Sequence, residues 1–208
     1  MALPLEGVLN PINSLEELMD YYEIRDKMEL LSRYSGDYPR LRGILSNLDQ
    51  TVIDFVPPID DAWSIREHMA HLADVEVRAF IRYRSSIIDN GLELVLGGGD
   101  VDKNNGPLRY SSQRAEDSLE IIRLLRRITI EHVSRMSDDG MEGYRIKHPD
   151  LGMINLKMIL SIYTQHVDKH IEYLLRNIAL FNEETKRVLQ SLNPEGRAKG
   201  KKRSSGRA

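Results

Sequence analysis

Cysteine is absent from this 208-residue chain. That removes disulfides, thiolate-type zinc sites and a protein thiol nucleophile together. A thiol taking part in chemistry here has to arrive with a substrate. Long apolar runs are missing too: nothing approaches the ~18 residues that a membrane span requires, so no membrane partner is expected. The N-terminus MALPLEGVLN has no basic stretch followed by an apolar core, so no secretory signal is read and a cytoplasmic location is expected. No convincing strand series occurs, which leaves helices to build the core.

What is present is ordinary for a globular protein, with 41% hydrophobic and 29% charged residues. The length suits one domain with extensions. Net charge is −3 but uneven. Beyond Pro194 lie Arg197, Lys199, Lys201, Lys202, Arg203 and Arg207 against Glu195 alone, so residues 194–208 carry five net positive charges and the body eight net negative ones. An acidic body argues against a nucleic-acid surface. The Gly- and Ser-containing tail reads as disordered, and it alone has the clustered Lys and Arg that nucleic acid would need.

Helix signals recur along the chain. Ser14 and Glu17 make a capping box before Leu15, Leu18, Met19, Tyr22, Met28 and Leu31. Gly36 reads as a stop, and Asp37 with Pro39 as the N-cap and first-turn proline of a second helix over 38–54, ended by Pro57 and Pro58. Ser64 and Glu67 form a second capping box and open a helix reaching Asp89, with Trp63, the sole tryptophan, anchoring its start. Residues 91–110 read as a long loop of the kind that is more often functional or mobile than idle. Its Gly97-Gly98-Gly99 lacks the following G-K-[ST] of a phosphate loop. A further helix starts at Ser111 or Ser112 and stops before Gly140. Residues 141–154 read as loop, and Asn155 caps a last long helix over 156–180 that precedes a short one over 183–192. The expected fold is an all-α four-helix bundle over 37–182, with an N-terminal extension (1–36) holding one helix, a short C-terminal helix (183–193) and the basic tail (194–208).

The histidines carry the chemistry. There are six: His68, His71, His132, His148, His166 and His170. His166 and His170 are four apart on the last long helix, a spacing that turns about 40° past a full circle and rises about 6 Å, so both imidazoles leave one face. Two neutral imidazoles so placed can share a divalent metal and need a third ligand. His68 and His71, three apart on the Ser64 helix, offer one. A wheel centred on Ile65, Met69, Leu72 and Tyr83 puts His68 about 60–80° from the apolar centre and His71 well outside it, so pattern alone slightly prefers His68. The bland alternative is surface or half-buried histidines on amphipathic helices, and spacing alone does not separate the two. Glu67, Asp74, Asp168 and Glu172 are candidates to orient ligands or act as bases, or are ordinary solvated helix charges.

The arrangement resembles the DinB-like superfamily of bacterial four-helix bundles, and most closely its metal-dependent hydrolase branch. The residues that carry the likeness are Trp63-Ser64 opening a helix, Arg66, His71-Leu72-Ala73-Asp74, Ala79-Phe80-Ile81-Arg82-Tyr83, His148-Pro149-Asp150 and His166-x-x-x-His170-Ile171. They span about Asp37 to Leu180. In that family the histidine eight residues after the tryptophan and both members of the H-x-x-x-H pair bind one divalent metal. The resemblance therefore implies His71, His166 and His170 as ligands, with His68 a neighbour, and Zn²⁺ or Ni²⁺ as the metal. Two features depart from the pattern. The loop holding Gly97-Gly98-Gly99-Asp100-Val101-Asp102 lacks the tryptophan that the branch often carries there, and the N-terminal helix and basic tail are additions.

By the same resemblance, the expected function is that of a metal-dependent hydrolase or a thiol-dependent transferase. It would act on a small-molecule substrate, in the second case with a bacillithiol- or mycothiol-type thiol as co-substrate. A homodimer is also implied, since superfamily members are often dimeric. The alternatives are a non-catalytic metal-binding or interaction bundle and, through the tail alone, a nucleic-acid partner. The superfamily's name does not imply DNA binding.

Overall fold

The computed structural model describes residues 26–94, 96, 105–148 and 151–192. The described residues are mostly helical, in seven helices: α1 (Lys27–Leu45), α2 (Gln50–Ile53), α3 (Ile65–Ile88), α4 (Asn105–Leu108), α5 (Ala115–Val133), α6 (Asp138–Gly143) and α7 (Leu156–Leu192). The long helices α1, α3, α5 and α7 form a four-helix bundle. Round the bundle α1 packs on α7, α7 on α3, α3 on α5 and α5 on α1. Thus α1 faces α3 across the diagonal. No described helix is long and apolar enough to cross a membrane.

Local chemistry fixes most helix starts. The Asp26 carboxylate accepts from Glu29 N at 2.7 Å to open α1. At α3 the Ser64 hydroxyl accepts from Glu67 N, and the Glu67 carboxylate reaches back to Ser64 N at 2.8 Å, completing the capping box. Asn155 Oδ1 accepts from Met158 N at 2.8 Å at the start of α7. Each satisfies backbone donors that the first helical turn leaves unpaired.

The structure departs from the sequence reading in five places. The expected break at Gly36 does not occur: α1 runs from Lys27 to Leu45 with Pro39 inside it. Asp37 is not a cap, because its fully buried carboxylate is drawn inward to Arg126 of α5. That tertiary pairing outweighs a local stop signal and the backbone hydrogen bond that Pro39 cannot donate. The helix expected over 38–54 instead ends at Leu45, leaving α2 as a separate turn. Ser111 and Ser112 lie in a 3₁₀ turn (Tyr110–Ser112), and α5 starts three residues after Ser112 behind Arg114. Residues 141–154, expected as loop, hold the end of α6 and a hairpin of β1 (Arg145–His148) and β2 (Gly152–Asn155), while the helix expected over 183–192 is a direct continuation of α7. The Ser14 cap, residues 97–104 of the loop and the basic tail lie outside the described residues.

In the hairpin Ile146 pairs with Ile154, and both are buried, while Arg145, Lys147 and Met153 point out. Gly152, the first residue of β2, takes φ 69°, the left-handed region that glycine tolerates. The hairpin is tied to the end of α3 by Gly91 N donating to Arg145 O and Lys147 N to Leu92 O, each 2.9 Å.

Two apolar clusters fill the bundle. One gathers Leu30, Tyr34, Val75, Tyr83, Val133 and the first turns of α7; the other gathers Leu41, Ile65, Met69, Leu72, Ile122, Val167 and Leu174. A buried polar group is set among them. The Arg126 guanidinium donates to the carboxylates of Glu76 (2.8 Å) and Asp37 and to Tyr34 O (2.9 Å), and it lies over the Tyr34 ring. Tyr34 OH donates to Glu76. With Arg126 Nη2 also donating to Tyr163 O of α7 at 3.5 Å, all four long helices meet at one guanidinium, whose five donors suit several acceptors at once.

Candidate metal centre

Histidines from α3 and α7 converge at the interface of those helices. His71 Nε2 lies 3.0 Å from His166 Nε2, and His68 Nδ1 lies 3.0 Å from His170 Nδ1. One ring nitrogen from each of His71, His166 and His170 lies within 4.8 Å of the other two. That is the only group of three or more candidate ligands found among the described residues. The i,i+4 spacing on α7 thus does what the helical geometry requires, and α3 supplies both members of its pair from the facing helix. The helical wheel underrated His71. It is only 2% exposed, because α3 packs against both α5 and α7 and buries an arc wider than its apolar residues mark.

The site is enclosed by aromatic rings. Trp63 lies 5.2 Å from the His71 ring and 5.5 Å from that of His68, and Tyr110 packs edge-on to Trp63 at 6.2 Å. His68 stacks on Tyr173 at 5.4 Å. Trp63 therefore walls the histidine cluster, besides sitting at the start of α3 as expected. Its carbonyl accepts from Asn177 Nδ2 of α7 at 2.7 Å, tying the two ligand-bearing helices together. Earlier on α7, Tyr163 OH accepts from Arg82, and Asp168 pairs with Arg33 (2.6 Å) and Arg40 of α1. The segment that holds His166 and His170 is thus braced just before it by Tyr163 and within it by Asp168. Of the four, His166 alone is half-buried, so the cluster meets solvent on its side.

Burial and mutual repulsion keep these rings neutral. Loss of hydration pushes His68 down to about 3, with Arg176 and His166 adding to the shift, and His71 down to about 2, with His166 and His68 adding. His166 is lowered to about 4 by burial and the nearby Arg126 charge, and His170 falls well below its ordinary value for the same first reason. Neutral imidazoles present lone pairs at neutral pH, which is the form that binds metals. Two buried ring nitrogens, His68 Nε2 and His71 Nδ1, have no hydrogen-bond partner. An all-imidazole donor set of this kind suits Zn²⁺ and Ni²⁺ better than Mg²⁺ or Ca²⁺, which take oxygen ligands. The 3.0 Å between His71 Nε2 and His166 Nε2 is close to the ~3.3 Å separating two nitrogens on one tetrahedral zinc. The residues present fit a divalent metal.

The remaining candidates have other placements. Glu67 caps α3, Asp74 accepts from Tyr110 OH at 2.7 Å, Asp168 pairs with α1, and Glu172 pairs with Lys169. His132 Nδ1 is 2.8 Å from Tyr83 OH, and His148 Nδ1 accepts from Leu151 N in the hairpin turn. Sequence reasoning did not find the Arg126, Glu76 and Asp37 group or the site-facing role of Tyr173. The first reads as ordinary helix charge, and the second was visible only as the residue three past His170.

With this geometry in hand, the comparisons are informative. Residues 33–174 match the DinB superfamily. Among solved structures the chain is similar to YfiT from Bacillus subtilis, described as a probable metal-dependent hydrolase with an unusual four-helix bundle topology. The two share 18% identity and a TM-score of 0.65 over 85% of this chain and 95% of that one. None of the curated proteins matches the sequence.

Proposed function

This chain belongs to the DinB superfamily, and from that premise we propose that it is a divalent-metal-dependent enzyme, in first place a hydrolase, with His71, His166 and His170 as the metal ligands. The observation that carries the proposal is the convergence of three neutral imidazole nitrogens within 4.8 Å inside an aromatic enclosure. The hydrolase reading is supported by the likeness to YfiT, whose description names that activity. Three protein ligands leave coordination positions free, as catalytic sites do and closed structural sites do not.

With Zn²⁺ or Ni²⁺ bound, the chemistry supplied is Lewis acidity, which polarises an ester, amide or related oxygen and lowers the pKa of a water or thiol beside it. The chain's own contribution is positional. α3 and α7 hold three rings at one point, and Trp63 and Tyr110 keep water from His71. His166 faces the side from which a small-molecule substrate arrives. Thiol transfer is the second reading, favoured by one feature of the chain: with no cysteine, a sulfur nucleophile is necessarily a low-molecular-weight co-substrate.

The test is metal analysis of the purified protein followed by turnover assays. Reconstitution should give close to one Zn²⁺ or Ni²⁺ per chain. Activity on a panel of model esters and amides, or on electrophiles offered with a low-molecular-weight thiol, should be lost on chelation and restored by metal. Undiminished metal binding in the His166→Ala/His170→Ala double variant refutes the ligand assignment. Stoichiometric binding without turnover on either panel favours a non-catalytic bundle.

A further inference from the structure

His68 is a fourth histidine in the cluster but not one of the three whose nitrogens converge. We infer that it is a positioning residue, which accepts a hydrogen bond from the ligand His170 and so fixes the tautomer and ring angle with which His170 meets the metal. This inference rests on the three-histidine reading above.

The argument follows from proton placement. His170 Nδ1 is engaged with His68 Nδ1 at 3.0 Å, which leaves Nε2 as its metal-facing nitrogen. An imidazole that gives its Nε2 lone pair to a metal carries its proton on Nδ1, and that proton needs an acceptor. In most metal sites the acceptor is a carboxylate or a backbone carbonyl. Here the partner of that nitrogen is another imidazole. To accept at Nδ1, His68 has to be neutral and protonated on Nε2.

The placement of His68 is itself fixed. It lies on α3 one turn before His71, 4% exposed, stacked on Tyr173 and tilted against Trp63. A ring held on two faces cannot swing away from His170 without opening the aromatic enclosure. A neutral acceptor also differs chemically from a carboxylate. It orients the ligand without adding negative charge, so a bound cation keeps more of its electrophilicity.

The test compares the 208-residue chain with its variants His68→Phe, which keeps ring volume and removes the acceptor, and His68→Asn, whose Oδ1 sits near the former Nδ1. Zn²⁺ affinity is read by competition with a chromophoric chelator, and Co²⁺ spectra report the ligand set. Loss of one such outer partner typically weakens metal binding 10–100-fold. His68→Phe should show that loss with an unchanged Co²⁺ ligand count, and His68→Asn should recover most of it. In the parent protein loaded with Zn²⁺, long-range ¹H–¹⁵N spectra should show His68 protonated on Nε2 and His170 on Nδ1. Parent-level affinity in His68→Phe overturns the inference and leaves the three-histidine site standing. Loss as complete as in His71→Ala, with a changed Co²⁺ spectrum, overturns it by making His68 a ligand. A parent protein that binds no metal sinks both readings.

Discussion

Lowering the pH from 8 to 5 should destabilise the metal-free protein by about 5 kcal/mol. The figure comes from the buried rings. His68, His71 and His166 are held at about 3, 2 and 4 in the folded state, against 6.5 when exposed. A group whose folded pKa is depressed binds protons preferentially in the unfolded chain, so stability falls as pH drops below 6.5 and stops falling only below the folded values. At pH 5 each ring forfeits about 2 kcal/mol, or about 6 for the three. His170 shifts in the same direction and adds to the loss.

Asp37 works the other way. Burial raises its carboxyl from 3.8 to about 6 against the pull of Arg126, so between those values the folded state holds the extra proton and gains stability as pH falls. At pH 5 the gain is about 1 kcal/mol, which against the three rings leaves a net loss of about 5, to which His170 adds. That is comparable to the whole stability of many domains of this size. Urea unfolding of chelator-stripped protein at pH 8, 7, 6 and 5 measures it directly. The loss should be concentrated below pH 6.5. A stability that is flat or rising towards pH 5 would refute the claim that these rings are buried and neutral.

Other expectations are narrower. His71→Ala should weaken Zn²⁺ binding more than His68→Ala does, as read by chelator competition; the reverse order would restore the preference of the helical wheel. Arg126→Met should cost about 3–5 kcal/mol in urea unfolding at pH 8, because it strands the Glu76 and Asp37 carboxylates in the core, and a cost under 1 kcal/mol would show that water reaches them. Ser64→Ala should cost about 1 kcal/mol through loss of the α3 cap, measured the same way. Pro39→Ala should raise thermal stability, since it returns a backbone donor to the interior of α1; a lowered melting temperature would mean that the proline is packed where an alanine is not tolerated.

The parts of this fold that were legible in the sequence are those set by local geometry. The Ser64–Glu67 box and the Asn155 cap depend on residues three apart, and both formed as read. The His166–His170 pair depends on one helical turn, and its rings do converge. The errors share a cause. Gly36, Asp37 and Pro39 spell a helix boundary when taken locally, yet Asp37 is claimed by Arg126, 89 residues away in sequence. Arg145 to Asn155 carries a two-residue alternation too short to stand out, and it pairs as a hairpin because Ile146 and Ile154 find the core.

The same distinction explains why the choice between His68 and His71 could not be made from pattern. A helical wheel assumes that burial follows apolarity, but on α3 the buried set includes His68, His71, Glu76 and Arg82 beside Met69 and Leu72. These polar side chains are inside because they have partners there: Glu76 has Arg126 and Tyr34, Arg82 has Tyr163, and His68 has His170. A buried polar group without a partner costs several kcal/mol, so each such position is evidence of a specific contact that the wheel cannot see. Among the buried histidines, His71 differs from His68 in one respect. Its Nε2 lies against Nε2 of His166, whereas Nδ1 of His68 lies against Nδ1 of His170. Which ring nitrogen faces which neighbour is a property of the packed helices rather than of either helix alone.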